Sequence, residues 1–222
     1  AYIEYFAGLY RAVIGNKPGR LYLGVADVVF SPDSKHVAYT AGDSKNSFVV
    51  VDGIEGKKYL RITSKVVFSP DSQHVAYKAL IDSNSEVTIV DGQEGKIGKA
   101  TYRDPVFSPD SQNVIYNVAD GAEAYIVVNG REQTKYSAAE YPAISPDGKR
   151  ITYIASRSQS SQNYKKFVVK DGKEQEEYDG VGYKINFSPD SQKMAYDVSD
   201  QDNIYVVING KRGKAYPINE AS

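Results

Sequence analysis

Short apolar runs alternate with clusters of Pro, Asp, Ser, Asn and Gly along almost the whole chain. Residues 66–104 show the pattern in full. Val66-Val67-Phe68 reads as a short strand, stopped by Ser69-Pro70-Asp71-Ser72. Proline at the second turn position pre-sets φ, and Asp and Ser bond back to the backbone, so the stop is a turn with a mechanism. His74–Ala79 follows as a second strand, and the polar stretch Asp82–Ser85 leads to a third, Val87–Val90. Asp91-Gly92 then signals a tight hairpin whose twist suits two antiparallel strands, and a fourth strand is predicted from Lys96 to Tyr102.

This unit repeats. Ser-Pro-Asp occurs at 31–33, 69–71, 108–110, 145–147 and 188–190, with its prolines 38, 39, 37 and 43 residues apart. Six residues after each Asp stands a tyrosine: Tyr39, Tyr77, Tyr116, Tyr153 and Tyr196. The hairpin dipeptide recurs as Asp52-Gly53, Asp91-Gly92, Asn129-Gly130, Asp171-Gly172 and Asn209-Gly210. Six residues beyond its Gly stand Tyr59, Tyr136, Tyr178 and Tyr216, with Gly98 in the second copy. These tyrosines read as packing residues with a polar tip. A repeat of about 40 residues made of short strands predicts an all-β fold, a β-propeller of four-stranded antiparallel blades.

Ala12–Tyr22 aligns without gaps on Val206–Tyr216, and Tyr5 is read as the second-strand tyrosine of that copy. The N-terminus therefore supplies strands two to four of a further blade that lacks its first strand. The expectation is one domain over 1–222 with six blades: a partial one at 1–27, then 28–65, 66–104, 105–141, 142–184 and 185–222. Five blades with the N-terminal strands outside are the alternative. An incomplete blade leaves a strand edge that a partner or a second copy could complete.

The phrase Phe-Ser-Pro-Asp-(Ser/Gly)-(Lys/Gln)-x-hydrophobic-(Ala/Thr/Ile)-Tyr resembles the WD40-like PD40 repeat of bacterial propellers, as in the TolB family. The resemblance covers about residues 28–222. It implies a propeller scaffold and an extracytoplasmic, periplasmic or secreted, bacterial setting, although the residues alone leave the compartment undetermined. PD40 propellers also accompany the hydrolase domains of prolyl oligopeptidase-like and tricorn-like peptidases and form the body of some polysaccharide lyases. This chain has no Gly-x-Ser-x-Gly elbow of the kind such a hydrolase nucleophile needs.

Composition narrows the chemistry. The formal net charge is −1, with scattered basic residues, which argues against nucleic acid as a partner. No apolar stretch is long enough for a membrane helix, so no membrane insertion is expected, and no signal peptide is evident. The chain has no cysteine, which removes disulfides and thiolate chemistry. Its two histidines, His36 and His74, share a repeat position occupied elsewhere by Asn113, Arg150 and Lys193, so they read as solvated turn exits. The Asp of each Ser-Pro-Asp reads as a turn cap, not a calcium ligand, because Ca²⁺ wants many oxygens at one point. No catalytic residue, cofactor site or metal site is assigned.

What varies between copies is the segment joining one blade to the next, Arg61–Lys65, Tyr102–Asp104, Ser137–Tyr141 and Asp179–Lys184, and the loop between strands two and three, longest at Ser156–Lys166. Variable segments on a rigid scaffold are where binding sits. Arg61, Lys65, Tyr102, Arg103, Tyr141, Tyr183 and Lys184 form the candidate partner-binding face, being residue types that anchor protein interfaces. The expected function is a non-enzymatic binding module for a protein or peptide. A carbohydrate-binding or carbohydrate-active propeller is the alternative.

Overall fold

A computed structural model of the chain describes residues 1–99, 103–160 and 163–218, with the side chains of 159, 160 and 163 left aside. The fold is all-β, with no helix among the described residues, and its repeating element is an antiparallel blade. The chain divides into two compact units, Ala1–Phe107 and Ser108–Ser222, described separately below.

In the first unit, Tyr2–Phe6, Leu9–Ile14 and Lys17–Pro18 form a three-stranded sheet. Gly24–Phe30, Val37–Gly42, Ser47–Val51 and Ile54–Glu55 make the first four-stranded blade. The next repeat runs through Arg61–Ile62, Val67–Phe68, Val75–Leu80, Ser85–Val90 and Gln93–Lys99. In the second unit, Ala138–Ile144, Ile151–Ser160, Asn163–Lys170 and Lys173–Glu174 form a complete blade. Gly180–Val181, Asn186–Phe187, Met194–Asp200, Asn203–Ile208, Lys211–Arg212 and Tyr216–Pro217 form the last.

Two readings of the sequence change. The second-strand tyrosine of the N-terminal copy is Tyr2, not Tyr5. Tyr2 stands opposite Val13, as Tyr39 stands opposite Val50 and Tyr196 opposite Val207. The segments read as connections between blades also turn out to belong largely to first strands. Ala138–Ile144 is one strand with a break in register between Glu140 and Ala143, and Gly24–Phe30 breaks between Ala26 and Val29. Arg61–Ile62 and Gly180–Val181 pair with the far ends of their second strands. An inserted residue disrupts the ladder without ending the strand, so sequence periodicity alone suggests a loop there.

The Ser-Pro-Asp phrase folds as a knot of hydrogen bonds. Ser34 N–H donates to Ser31 O at 2.9 Å, closing the turn, and the same bond recurs from Ser72, Ser111, Gly148 and Ser191. Each seryl hydroxyl donates to its own Asp carboxylate at 2.5–2.6 Å. The same oxygen accepts the N–H that opens the second strand, from His36, His74, Asn113, Arg150 and Lys193. Ser69, Ser108 and Ser145 are fully buried, so Ser is needed there as both donor and acceptor. Adjacent repeats are tied by the same phrase, since Asp33 N–H donates to Ser72 Oγ and Asp147 N–H to Ser191 Oγ. The histidines prove to be clamps: His36 Nδ1 and His74 Nδ1 each lie 2.7 Å from the carboxylates of Asp52 and Asp91 in the hairpin turns.

These bonds make the fold acid-sensitive in a predictable window. The Ser31 hydroxyl and the Lys35 N–H hold the Asp33 carboxyl down at about 2. Asp110, Asp147 and Asp190 are lowered by the equivalent pair of donors. A carboxyl depressed on folding contributes stability above its unfolded value and loses it as pH falls through the folded one. Thermal melting followed by tyrosine fluorescence is therefore expected to be flat from about pH 7 down to about pH 4 and to fall steeply from there towards pH 2. A flat profile through that interval would refute the assignment.

The core consists of clusters between successive sheets. Val49 and Tyr59 share one with Tyr77, Ile126 and Tyr136 with Tyr153, and Val168 and Tyr178 with Tyr196. Each fourth-strand tyrosine also extends its strand, through the bridges Tyr10–Tyr22, Ser47–Tyr59, Ala124–Tyr136 and Lys166–Tyr178. Two of their tips are hydrogen-bonded: Tyr22 donates to Glu55 at 3.1 Å and Tyr178 to Glu176 at 2.9 Å.

Candidate functional site

The break in the first strand is where the repeats differ, and in the second unit it carries aromatic rings. Tyr141 occupies the break after Glu140 with φ 54°, a left-handed conformation that an aromatic residue adopts at a cost of about 1 kcal/mol or more. Asp27 takes the same position in the first full blade with φ 53°. In the last blade the break runs from Val181 to Asn186 and holds Tyr183 and Lys184. Gly182 lets the Asp197 carboxylate lie close against the backbone there, since a Cβ would sit 2.2 Å from it and push that side chain aside, while its N–H donates to Asp197 O at 2.9 Å.

The two breaks meet. The rings of Tyr141 and Tyr183 lie 5.3 Å apart at 49°, and the Lys166 ammonium stands 5.9 Å from the Tyr183 centroid. A cleft of about 110 Å³ is lined by Glu140, Tyr141, Ser156, Tyr164, Lys166 and Tyr183. Ser156, nearly buried, donates to the Tyr164 hydroxyl at 2.5 Å and fixes one wall. A second hollow of about 280 Å³ lies against Gly182, Asp197, Ser199 and Ile204 and shares Lys166 and Tyr183 with the first. Tyr183 is 70% exposed, so its ring is a partition between two concavities with its face open to solvent. Lys184 beside it is exposed.

Tyr164 and Lys166 were not among the residues singled out from the sequence. Both lie in the longest hairpin, where Ser156 pairs with Lys166 and Ser158 with Tyr164. The signal was the length of the Ser156–Lys166 segment. What hid them was reading that segment as a loop, when strand pairing continues to Ser160 and Asn163.

In the first unit the same strand break overlies a buried ion pair. Arg61 is exposed on its strand opposite Leu80, and Lys65 is exposed within the break. The Lys65 N–H donates to Asp104 Oδ1 at 2.9 Å, which brings Lys65 next to the segment holding Arg103. Beneath, Lys78 and Glu86 face each other at 3.5 Å with side chains only 1% and 3% exposed. Thr63 donates to Glu86 Oε1 at 2.7 Å, and Lys78 N–H donates to Ser64 Oγ at 2.8 Å. Burial pushes the Lys78 ammonium down to about 8, with the Glu86 carboxylate opposing the shift. This pair anchors the break and is too buried to meet a ligand directly. Tyr102 lies outside the described residues.

A further hollow, about 370 Å³, lies in the first unit between Val49, Ile54 and Glu55 on one side and Tyr77 and Asp91 on the other. Its lining includes Asp52, Tyr77, Asp91 and Gly92, which stand at positions occupied in every full repeat.

No family model and no curated protein matches the chain. Among solved structures it is similar to an acylaminoacyl peptidase, with 15% identity over 97% of this chain and 46% of that one, at a TM-score of 0.44. It is similar also to the β-propeller domain of the Trilobed protease from Pyrococcus furiosus, with 16% identity over 96% and 76% of the two chains and a TM-score of 0.45. TolB from Acinetobacter baumannii matches with 18% identity over 90% of this chain, at a TM-score of 0.45, and the chain spans 56% of that protein's length. The solved structures similar to this chain thus include TolB and other β-propeller proteins.

Proposed function

We propose that the chain is a non-enzymatic binding module that presents the irregular first-strand segments to a protein or peptide partner. The observation that carries this reading is the exposed Tyr183 ring, set against the half-buried Tyr141 and beside Lys166 at the mouth of two adjoining hollows. Tyrosine offers a large contact area at low entropy cost, and a neighbouring cation adds a carboxylate partner. The left-handed backbone at Tyr141 adds support, since strain of this kind concentrates where a site needs a side chain in one place. Tyr183 and Lys184 act as anchors on this face of the second unit; in the first unit, taken by itself, Arg61 and Lys65 stand exposed in the corresponding segments, with Arg103 near Lys65. An extracytoplasmic setting belongs to the same reading and rests on the PD40 resemblance.

The test is selection from a displayed peptide library, followed by titration of an enriched peptide into wild type and Tyr183→Ala. Because Tyr183 is 70% exposed, the variant is expected to fold normally and to bind at least about 10-fold more weakly. An unchanged affinity would remove this face from the function. Saturable binding of a glycan in place of any peptide would favour the carbohydrate reading.

A further inference from the structure

The hollow of about 370 Å³ in the first unit is opened by two residues that depart from the repeat. The residue that begins the fourth strand pairs with the last residue of the third, and in four repeats it is a cation: Lys17, Arg131, Lys173 and Lys211. Ile54 stands there in repeat 28–65, paired with Val51 and 75% exposed. Two positions on, Gln133 and Gln175 donate their N–H to Ile126 O and Val168 O, and their side chains turn back to the carbonyls of Arg131 and Lys173. Gly56 makes the same backbone bond, to Val49 O, with no side chain to fill the space. The tyrosine of the following repeat registers the difference. The hydroxyls of Tyr153 and Tyr196 are buried, whereas Tyr77 lines the hollow, and a Cβ on Gly56 would stand 3.6 Å from its hydroxyl.

Both walls belong to the first unit: Val49, Val51 and Ile54 on one side, Val75 and Tyr77 on the other. The lining is mostly hydrocarbon, but the carboxylates Asp52, Glu55 and Asp91 belong to it too, and no Lys or Arg does. Glu55 is already matched by Arg20 at 2.8 Å. Asp52 and Asp91 each accept the N–H of a second strand on Oδ1 and face an imidazole with Oδ2. A neutral imidazole donates to a carboxylate without cancelling its charge. An apolar cleft of this volume with a few converging polar groups has the form of a small-ligand site. Carboxylates without a lining cation select a ligand of the opposite sign.

We propose that this hollow binds a small organic cation, an ammonium or guanidinium group carried on a short hydrocarbon chain. The hydrocarbon lies against Val51, Ile54 and Val75, and the cation takes the carboxylates of Asp52 and Asp91, with the Tyr77 hydroxyl oxygen as a further acceptor. Where Arg131 or Lys173 begins the fourth strand the protein supplies a cation itself; where Ile54 replaces it, the ligand brings one. The site lies wholly in the first unit and rests on no part of the peptide reading.

Hexylammonium, hexanol and hexanoate are titrated separately into the ¹⁵N-labelled chain at neutral pH, with backbone amide shifts as the readout. Hexylammonium should move the Gly56 and Gly92 amides saturably, hexanol should bind about 10-fold more weakly, and hexanoate should move neither. Asp52→Asn with Asp91→Asn should weaken hexylammonium by about 10-fold and leave hexanol unchanged. That variant keeps the fold, because Asn129 and Asn209 accept the same strand N–H at the same repeat position. Ile54→Arg with Gly56→Gln, the residues that stand at 131 and 133, should weaken hexylammonium by more than about 10-fold. Gly56 lies outside the left-handed region, so glutamine fits its backbone as Gln133 and Gln175 do. No saturable shift by about 10 mM hexylammonium overturns the proposal. Equal affinity for hexanol overturns it too, as does hexylammonium binding that neither variant weakens.

Discussion

Replacing Glu86 by alanine is expected to destabilise the protein by about 3–5 kcal/mol, seen as a shift in the denaturation midpoint at constant slope. The Lys78 and Glu86 side chains are almost fully buried and face each other at 3.5 Å. Removing the carboxylate leaves an ammonium in a low-dielectric setting that already pushes it down to about 8. The lost partner matters more than the pair's own attraction, because desolvation offsets most of the Coulombic gain. The double variant Lys78→Met with Glu86→Leu should therefore recover most of the loss. Should Glu86→Ala cost less than about 1 kcal/mol, the pair would have to be solvated, contrary to its burial.

Tyr196→Ala is expected to cost a similar amount, about 3–5 kcal/mol, for a different reason. Its ring is 2% exposed and packs among Val168, Tyr178, Val198 and Val207. Truncation leaves a cavity at the junction of two successive repeats. Tyr196→Phe should instead be neutral, or stabilising by up to about 1 kcal/mol, because the hydroxyl is buried without a hydrogen-bond partner among the described residues. Burial raises the pKa of this phenol, as it does for Tyr153 in the equivalent position. If Phe proved as damaging as Ala, the hydroxyl rather than the ring would be the stabilising group.

Neither residue stood out in the sequence to the same degree. Tyr196 was visible as one of five tyrosines six residues after an Asp, so its burial could be anticipated from the repeat. Lys78 and Glu86 sit in strands two and three, where the equivalent residues of the first full blade are Thr40 and Ser47. A charge at such a position was a legible anomaly, but its partner was not. Pairing depends on strand register, which places Leu80 opposite Glu86 and turns Lys78 and Glu86 to one face.

The candidate site divides in the same way. Tyr141, Tyr183 and Lys184 were singled out because they lie where the copies diverge. Their contact was not legible, because Tyr141 and Tyr183 are 42 positions apart and meet only where two first strands break in register. The reading of Tyr5 as a repeat tyrosine failed through the same physics. Side chains alternate across a strand, so only the observed pairing of Tyr2 with Val13 settles which tyrosine faces the neighbouring sheet.

By itself, the sequence determined the local structure of each blade. Ser-Pro-Asp turns, Asp-Gly and Asn-Gly hairpins and spaced tyrosines act over a few residues, through φ preferences and short hydrogen bonds that the residues carry with them. Only the tertiary structure decided which faces are covered. Val49 and Val206 are the same residue at the same repeat position, 2% and 45% exposed, because burial depends on the sheet that packs next and not on the strand itself.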